Sequence, residues 1–196
     1  FNRSVAQKAV WQDRKNTFKN QMSKQLEKLT EEEKKAIWRY TGNAANRVNS
    51  AIYSGKQQRI DKEKGFMDHY LLDSALNKGT VDHKMVVHRD TISEYLNAFP
   101  KDFQYTDRDI ERLTGVELTN FGYTSTSFKD LTYTGRNVHL EIEVPKGYKG
   151  CLYIENLATD KYKNQEEVLF KRGFRYKIKS VKKEKKRYYI KAEAIL

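Results

Sequence analysis

Val138-His139-Leu140-Glu141-Ile142-Glu143-Val144 alternates apolar and polar residues without a break. Side chains on a β-strand point by turns to opposite faces. Val138, Leu140, Ile142 and Val144 therefore read as one buried face, with His139, Glu141 and Glu143 on its reverse. Phe174, Tyr176 and Ile178 repeat the pattern, and so do Tyr188, Ile190, Ala192 and Ala194. Pro145-Lys146-Gly147 and Lys171-Arg172-Gly173 punctuate these strands. Met85-Val86-Val87 is a short apolar strand. Cys151-Leu152-Tyr153-Ile154 has the pattern of a buried one, which makes the Cys151 thiol core rather than nucleophile.

The first half has a different period. Trp11, Phe18, Met22, Leu26 and Leu29 recur at steps of three, four and seven, along one helix face. Thr30 followed by Glu33 is a capping box that opens a second helix through Tyr40. Asn43 is placed to cap a third, carrying Ala45, Val48 and Ile52, and a fourth runs from about Asp61 to Leu76 with Phe66 and Tyr70 among its apolar positions. Short helices are expected near Thr91–Leu96 and Asp107–Leu113. Helices first and strands afterwards predict an α+β domain with a largely antiparallel sheet core. One domain is expected to span 1-196, mostly helical over 1-80 and mostly β over 81-196.

Composition narrows the function. At 196 residues, with 13 Tyr and 9 Phe, the chain has the means to build one good core despite 33% charged residues. A single cysteine excludes a disulfide framework and a cysteine-rich metal site. No apolar run approaches the ~20 residues a bilayer span needs. A start at Phe1 fits a processed, secreted chain. The net charge of +12 suits nucleic acid, an anionic membrane, or an anionic small molecule with an acidic partner. Its densest run, Lys182 to Arg187, reads as a solvated hairpin tip. His69, His83, His88 and His139 show no close metal-binding spacing, so no metal is expected. Gly-rich loops of the Rossmann or Walker type are absent from the sequence. The helical aromatics Trp11, Phe18 and Trp38 read as packing.

Three segments carry chemistry. Glu167 stands where the irregular stretch 158–166 becomes the strand Val168-Leu169-Phe170, held by a sheet yet open to a cleft. A carboxylate so placed can accept from a ribose hydroxyl and stabilise a developing oxocarbenium. Ser125-Thr126-Ser127 supplies hydroxyls on a second strand. Arg89 ends the strand Met85-Val86-Val87, and its planar fork suits phosphate.

In this order, Arg89, Ser125-Thr126-Ser127 and Gln165-x-Glu167 resemble the signature of bacterial mono-ADP-ribosyltransferase toxins. The Gln-x-Glu form is similar to the botulinum exoenzyme C-three class, which modifies an asparagine of Rho GTPases. Tyr40-Thr41 with Val48-Asn49 resembles the helix that flanks NAD in that family, and Tyr133-Thr134-Gly135-Arg136 resembles its phosphate–nicotinamide loop. The likeness runs from Leu29 to Ile178. It implies N-terminal helices packed on a mainly antiparallel two-sheet β core, and NAD as substrate without a metal. Catalysis would fall to Glu167, oriented by Ser125, with Gln165 presenting the target amide. Arg89 and Arg136 would hold phosphate and Tyr133 would cover the nicotinamide. Asn49, Thr41, Thr126 and Ser127 would complete the NAD contacts, and Tyr162 would touch the target. The implied partner is a Rho-type small GTPase of a host cell, met by a secreted monomer acting in the host cytosol, without nucleic acid. Two departures stand out. Asp90 follows Arg89 where the family has glycine, and Tyr53 occupies the place of a phosphate-binding arginine, with Lys56 or Arg59 as substitutes. The alternatives are an arginine-directed, actin-modifying subunit of a binary toxin, which Gln165 disfavours, and a basic nucleic-acid-binding module.

Overall fold

The computed structural model describes residues 5–53, 68–96 and 103–196. Helix α1 (Val5–Lys24) leads through a 3₁₀ turn (Gln25–Lys28) to α2 (Glu31–Arg39). The capping box forms: Glu33 N–H donates to Thr30 Oγ1 at 3.2 Å, and Thr30 N–H donates to Glu33 Oε2 at 3.0 Å. Glu33 also accepts from Ser74 Oγ at 2.7 Å and Lys78 Nζ at 2.8 Å, which ties α2 to α4 (Asp68–Asn77). Burial would raise the Glu33 carboxyl, but these bonds outweigh it and hold the group below its ordinary range.

The third helix, α3 (Ala45–Tyr53), is not opened by a cap at Asn43. The chain instead passes through a π turn, Tyr40–Ala44, whose kink is taken up at Gly42 (φ −82°, ψ −106°). Of the fourth helix's expected apolar positions, Tyr70 is exposed and Phe66 lies outside the described residues, as do Lys56 and Arg59. Trp38 is exposed rather than packed, whereas Phe18 is core; the side chain of Trp11 is outside the described set.

Eight strands follow: β1 (Met85–Thr91), β2 (Glu117–Asn120), β3 (Thr124–Ser127), β4 (Val138–Val144), β5 (Cys151–Tyr153), β6 (Glu167–Phe170), β7 (Phe174–Glu184) and β8 (Arg187–Ala194). Between β1 and β2 lie a 3₁₀ turn (Ser93–Leu96) and α5 (Asp107–Glu111). All the strand pairs are antiparallel except β4 with β8. Hydrogen bonds join the strands in the order β2-β7-β8-β4-β1-β3-β6-β5, one continuous sheet where two were expected. The join is thin. Among the described residues β1 and β3 share one register pair, His88 with Ser127, so the sheet behaves as two leaves hinged there.

Burial explains why the leaves fold together. Val138, Leu140, Ile142 and Val144 are fully buried and meet Met85, Val87, Val168, Phe170, Cys151 and Tyr153 in the space between leaves. Burying each such side chain contributes roughly 1.5–3 kcal/mol, and a slip of one residue would expose the whole set, so the register is firmly specified. The β3-β6-β5 leaf is covered on its other face as well. Leu152, Ile154 and Leu169 pack there against Leu26, Ile37, Tyr40, Val48, Leu72 and Leu76 from the helices. That leaf is thus sandwiched, and every residue of β6 is buried. The Lys182–Arg187 run forms the β7–β8 hairpin tip as expected.

Candidate active site

Glu167 begins β6 and lies opposite Ser127, while Ser125 lies opposite Leu169. Positions two apart on a strand share a face, so Ser125, Ser127 and Glu167 all look toward the helical layer beside Leu169. Helices α3 and α4 pin the entrance to β3. Asn49 Oδ1 accepts from Tyr123 N–H at 2.9 Å, and its Nδ2 donates to the Tyr40 hydroxyl at 3.1 Å. A Cβ at Gly122 would stand 2.7 Å from Asn49 Oδ1, which is why glycine precedes Tyr123. The Tyr123 hydroxyl donates to Asp73 Oδ1 at 2.6 Å.

Arg89 crosses the gap between leaves. It sits inside β1 rather than at its end, and its Nη1 donates to the Ser125 carbonyl at 2.8 Å. Glu167 is only 8% exposed, and burial pushes its carboxyl above the usual 4.5. The Ser125 hydroxyl and the Arg89 guanidinium pull it back, but by less. If the carboxylate is the working form, activity should fall on the acid side at a pH above 4.5. Ser125→Ala removes a bond to the charged form and should move that limb further up. NAD hydrolysis measured against pH checks this; a limb at or below the ordinary glutamate value, or one moving down, would contradict it.

Gln165 sits between two non-glycine residues in the left-handed region, Asn164 (φ 74°) and Glu166 (φ 50°). Such backbone costs of order 1 kcal/mol or more at each position, so the surroundings must impose it. Ser127 Oγ donates to the Gln165 carbonyl at 2.5 Å and accepts from Lys129 N–H at 2.8 Å. Phe128 N–H donates to the Glu166 carbonyl at 3.1 Å, and Glu166 N–H donates to Glu155 Oε1 at 3.2 Å. The Glu166 carboxylate is clamped from α1 by Lys15 at 2.6 Å and Lys19 at 2.8 Å. Burial would raise this acid, but the two ammonium groups win and hold it low. Adjacent glutamates are thereby given opposite characters: Glu166 a structural anion, Glu167 a buried acid facing a cleft.

Two cavities meet at Ser125, Gln165 and Glu167. One continues past Arg89, Asp90, Ser127, Lys129 and Tyr133, and the other past Tyr40, Thr41, Gly42 and Tyr162. The structure therefore gathers Arg89, Ser125, Ser127, Tyr133, Gln165, Glu167, Thr41 and Tyr162 around one cleft. Three expected NAD contacts are placed otherwise. Asn49 spends its amide on Tyr40 and on the Tyr123 backbone. Thr126 borders the cleft, but it faces the opposite side of its leaf and donates to the Val168 carbonyl at 2.8 Å. Arg136 closes a turn on the Tyr133 carbonyl and lines neither cavity.

Asp90 is tied down. Its side chain is fully buried, accepting from Tyr133 N–H at 2.5 Å and Arg187 Nη1 at 3.2 Å. The extra anion beside Arg89 thus carries its own cation and anchors the Tyr133 loop. Tyr53 donates to Asn120 Oδ1 and so braces β2. Sequence reading missed the Lys15–Glu166–Lys19 clamp, because ion pairs between distant segments leave no local pattern. It also missed that pairing of β1 with β4 brings His88 and His139 together beside Asp130.

Residues 15–196 match the family model described as ADP-ribosyltransferase exoenzyme. The "Epidermal cell differentiation inhibitor" of Staphylococcus aureus is 26% identical over 189 residues, covering 86% of this chain and 75% of that protein. Among solved structures, Plx2a, an ADP-ribosyltransferase toxin from Paenibacillus larvae, superposes with a TM-score of 0.76 at 25% identity, over 95% of this chain and 97% of its own. C3stau2 from Staphylococcus aureus, solved with NAD, gives 0.75 at 25% identity, covering 93% and 94%. With an arginine, a serine and a buried glutamate converging on one cleft, and a family match over nearly the whole chain, this protein belongs to the ADP-ribosyltransferase exoenzymes and is of the C3 class.

Proposed function

We propose that the protein transfers ADP-ribose from NAD to an asparagine side chain of a Rho-type GTPase, releasing nicotinamide. The observation that carries this reading is the convergence of Arg89, Ser125 and Glu167 on one cleft, with Gln165 at its rim. Arg89 holds the phosphate region, and Ser127, Tyr133 and Thr41 line the surface on which the dinucleotide lies. Glu167, oriented by Ser125, accepts from the ribose hydroxyl and stabilises positive charge as the bond from C1′ to nicotinamide breaks. The departing ring keeps the bonding electron pair. The asparagine amide nitrogen then attacks C1′ and gives up a proton, leaving an N-glycosidic bond. Water takes the same place slowly, so NAD hydrolysis accompanies transfer.

Gln165 supports an amide target. A carboxamide offers one acceptor and two donors, complementary to another carboxamide, whereas a glutamate there would suit a cationic arginine. We read the chain as a secreted monomer acting in the host cytosol; among the described residues no helix is long and apolar enough to cross a membrane. Purified Rho and actin incubated side by side with the protein and NAD, then mapped by mass spectrometry, test the assignment. Rho modified on asparagine is the expected result. Labelling of actin alone on arginine would reassign the target, and salt-sensitive RNA or DNA binding without NAD turnover would replace the enzyme reading altogether.

A further inference from the structure

His88 on β1 pairs with Glu141, and Asp90 pairs with His139 on β4. The two imidazoles are therefore diagonal neighbours on one face, with ring centroids 5.5 Å apart. Both are buried, while Asp130, from the segment after β3, reaches them with an exposed side chain. Asp130 Oδ1 lies 2.9 Å from His139 Nε2 and 3.7 Å from His88 Nδ1. Ligand atoms ~2.1 Å from a tetrahedral zinc ion stand about 3.4 Å from one another, a spacing that falls between those two separations.

The far side of the His139 ring sharpens the case. Its Nδ1 is 3.4 Å from Asp90 Oδ1, the buried carboxylate that Arg187 also holds. Nδ1 makes no hydrogen bond, so Nε2 is the ring atom turned to the Asp130 carboxylate, and Asp90 stands behind the ring as a buried counter-charge. A carboxylate beside the non-ligating nitrogen of a histidine is a common arrangement in metal sites.

We propose that His88, His139 and Asp130 bind one divalent cation of the zinc class, with the Asp90 carboxylate behind the His139 ring. Two imidazoles and one carboxylate suit zinc, cobalt or nickel; magnesium and calcium want oxygen ligands throughout. Three protein ligands leave a fourth position for water. The ion ties the β1–β4 pair to the segment after β3. Asp90 links it to the Tyr133 backbone, so occupation would stiffen the loop at the edge of the cleft.

The test uses tag-free, metal-stripped full chain titrated with Co²⁺ alone, followed by visible absorption and melting temperature. The expected result is a saturable tetrahedral-type band at one ion per chain, displaced by Zn²⁺, with melting raised because the ion binds only the folded site. Asp130→Asn, a surface change that leaves the core untouched, should weaken Co²⁺ by about tenfold or more. His139→Gln should abolish the band, with folding checked by circular dichroism. Absence of a saturable band in the wild type would overturn the proposal. So would a band unchanged in both variants, which would mean that the ion sits elsewhere.

Discussion

Glu167→Gln is expected to reduce ADP-ribose transfer and NAD hydrolysis together, by roughly 10³-fold, while leaving NAD affinity nearly as it was. The substitution keeps volume and one acceptor oxygen but removes the charge that opposes a developing oxocarbenium. Its effect should therefore fall on the transition state and spare ground-state binding. Stability supplies a second, independent readout. Burial raises the folded-state pKa of Glu167 above its unfolded value of 4.5, so the folded chain holds this proton more tightly than the unfolded one does. The resulting cost to stability is absent below the unfolded value and fully present once pH has risen through the folded one. At neutral pH the native carboxylate therefore strains the fold, and the glutamine variant should melt no lower than wild type, or higher. Activity lost with stability kept is the mark of a group retained for chemistry. A variant that turns over NAD normally would remove Glu167 from the mechanism. One that merely unfolds would make it a structural residue.

Local patterns were legible and distant meetings were not. The alternation in β4 and β8 fixed which faces are buried, because period two is a property of the strand itself. The Thr30–Glu33 box was equally readable, since both of its hydrogen bonds close within three residues. The order of Arg89, Ser125 and Glu167 carried the site through resemblance. Only the thin β1–β3 join explains why those three share a cleft: a sheet paired along its full length would leave no opening beside Glu167. Asn49 shows what residue type leaves open. A carboxamide can serve ligand or backbone equally well; here it bonds the Tyr123 backbone beside Gly122, a meeting that no pattern around residue 49 announces. Asp90 looked like an intruder beside a phosphate grip, until β8 brought Arg187 to it.

Gln165→Ala should separate the two reactions that Glu167→Gln removes together. The side chain is built into a turn whose shape does not depend on it. The Gln165 carbonyl is held by Ser127, Glu166 is fixed through Glu155 and through the Lys15–Glu166–Lys19 clamp, and the Asn164 carbonyl accepts from Lys129 Nζ. Truncation therefore deletes an amide from the rim of the cleft without moving Glu167, which is anchored by its strand and by Ser125. NAD hydrolysis should stay within about twofold of wild type, since it needs only water at C1′. Transfer to Rho should fall by roughly 10²-fold, the cost of losing alignment between target nitrogen and ribose carbon. Equal loss of both activities would show that Gln165 serves NAD. Lys15→Met gives the complementary reading. It loosens the clamp but keeps the glutamine, so a partial loss of transfer with hydrolysis preserved would show that α1 sets the precision of target alignment through Glu166. If Lys15→Met leaves transfer untouched, the turn is held well enough by its backbone bonds, and the ion pairs serve to dock α1 instead.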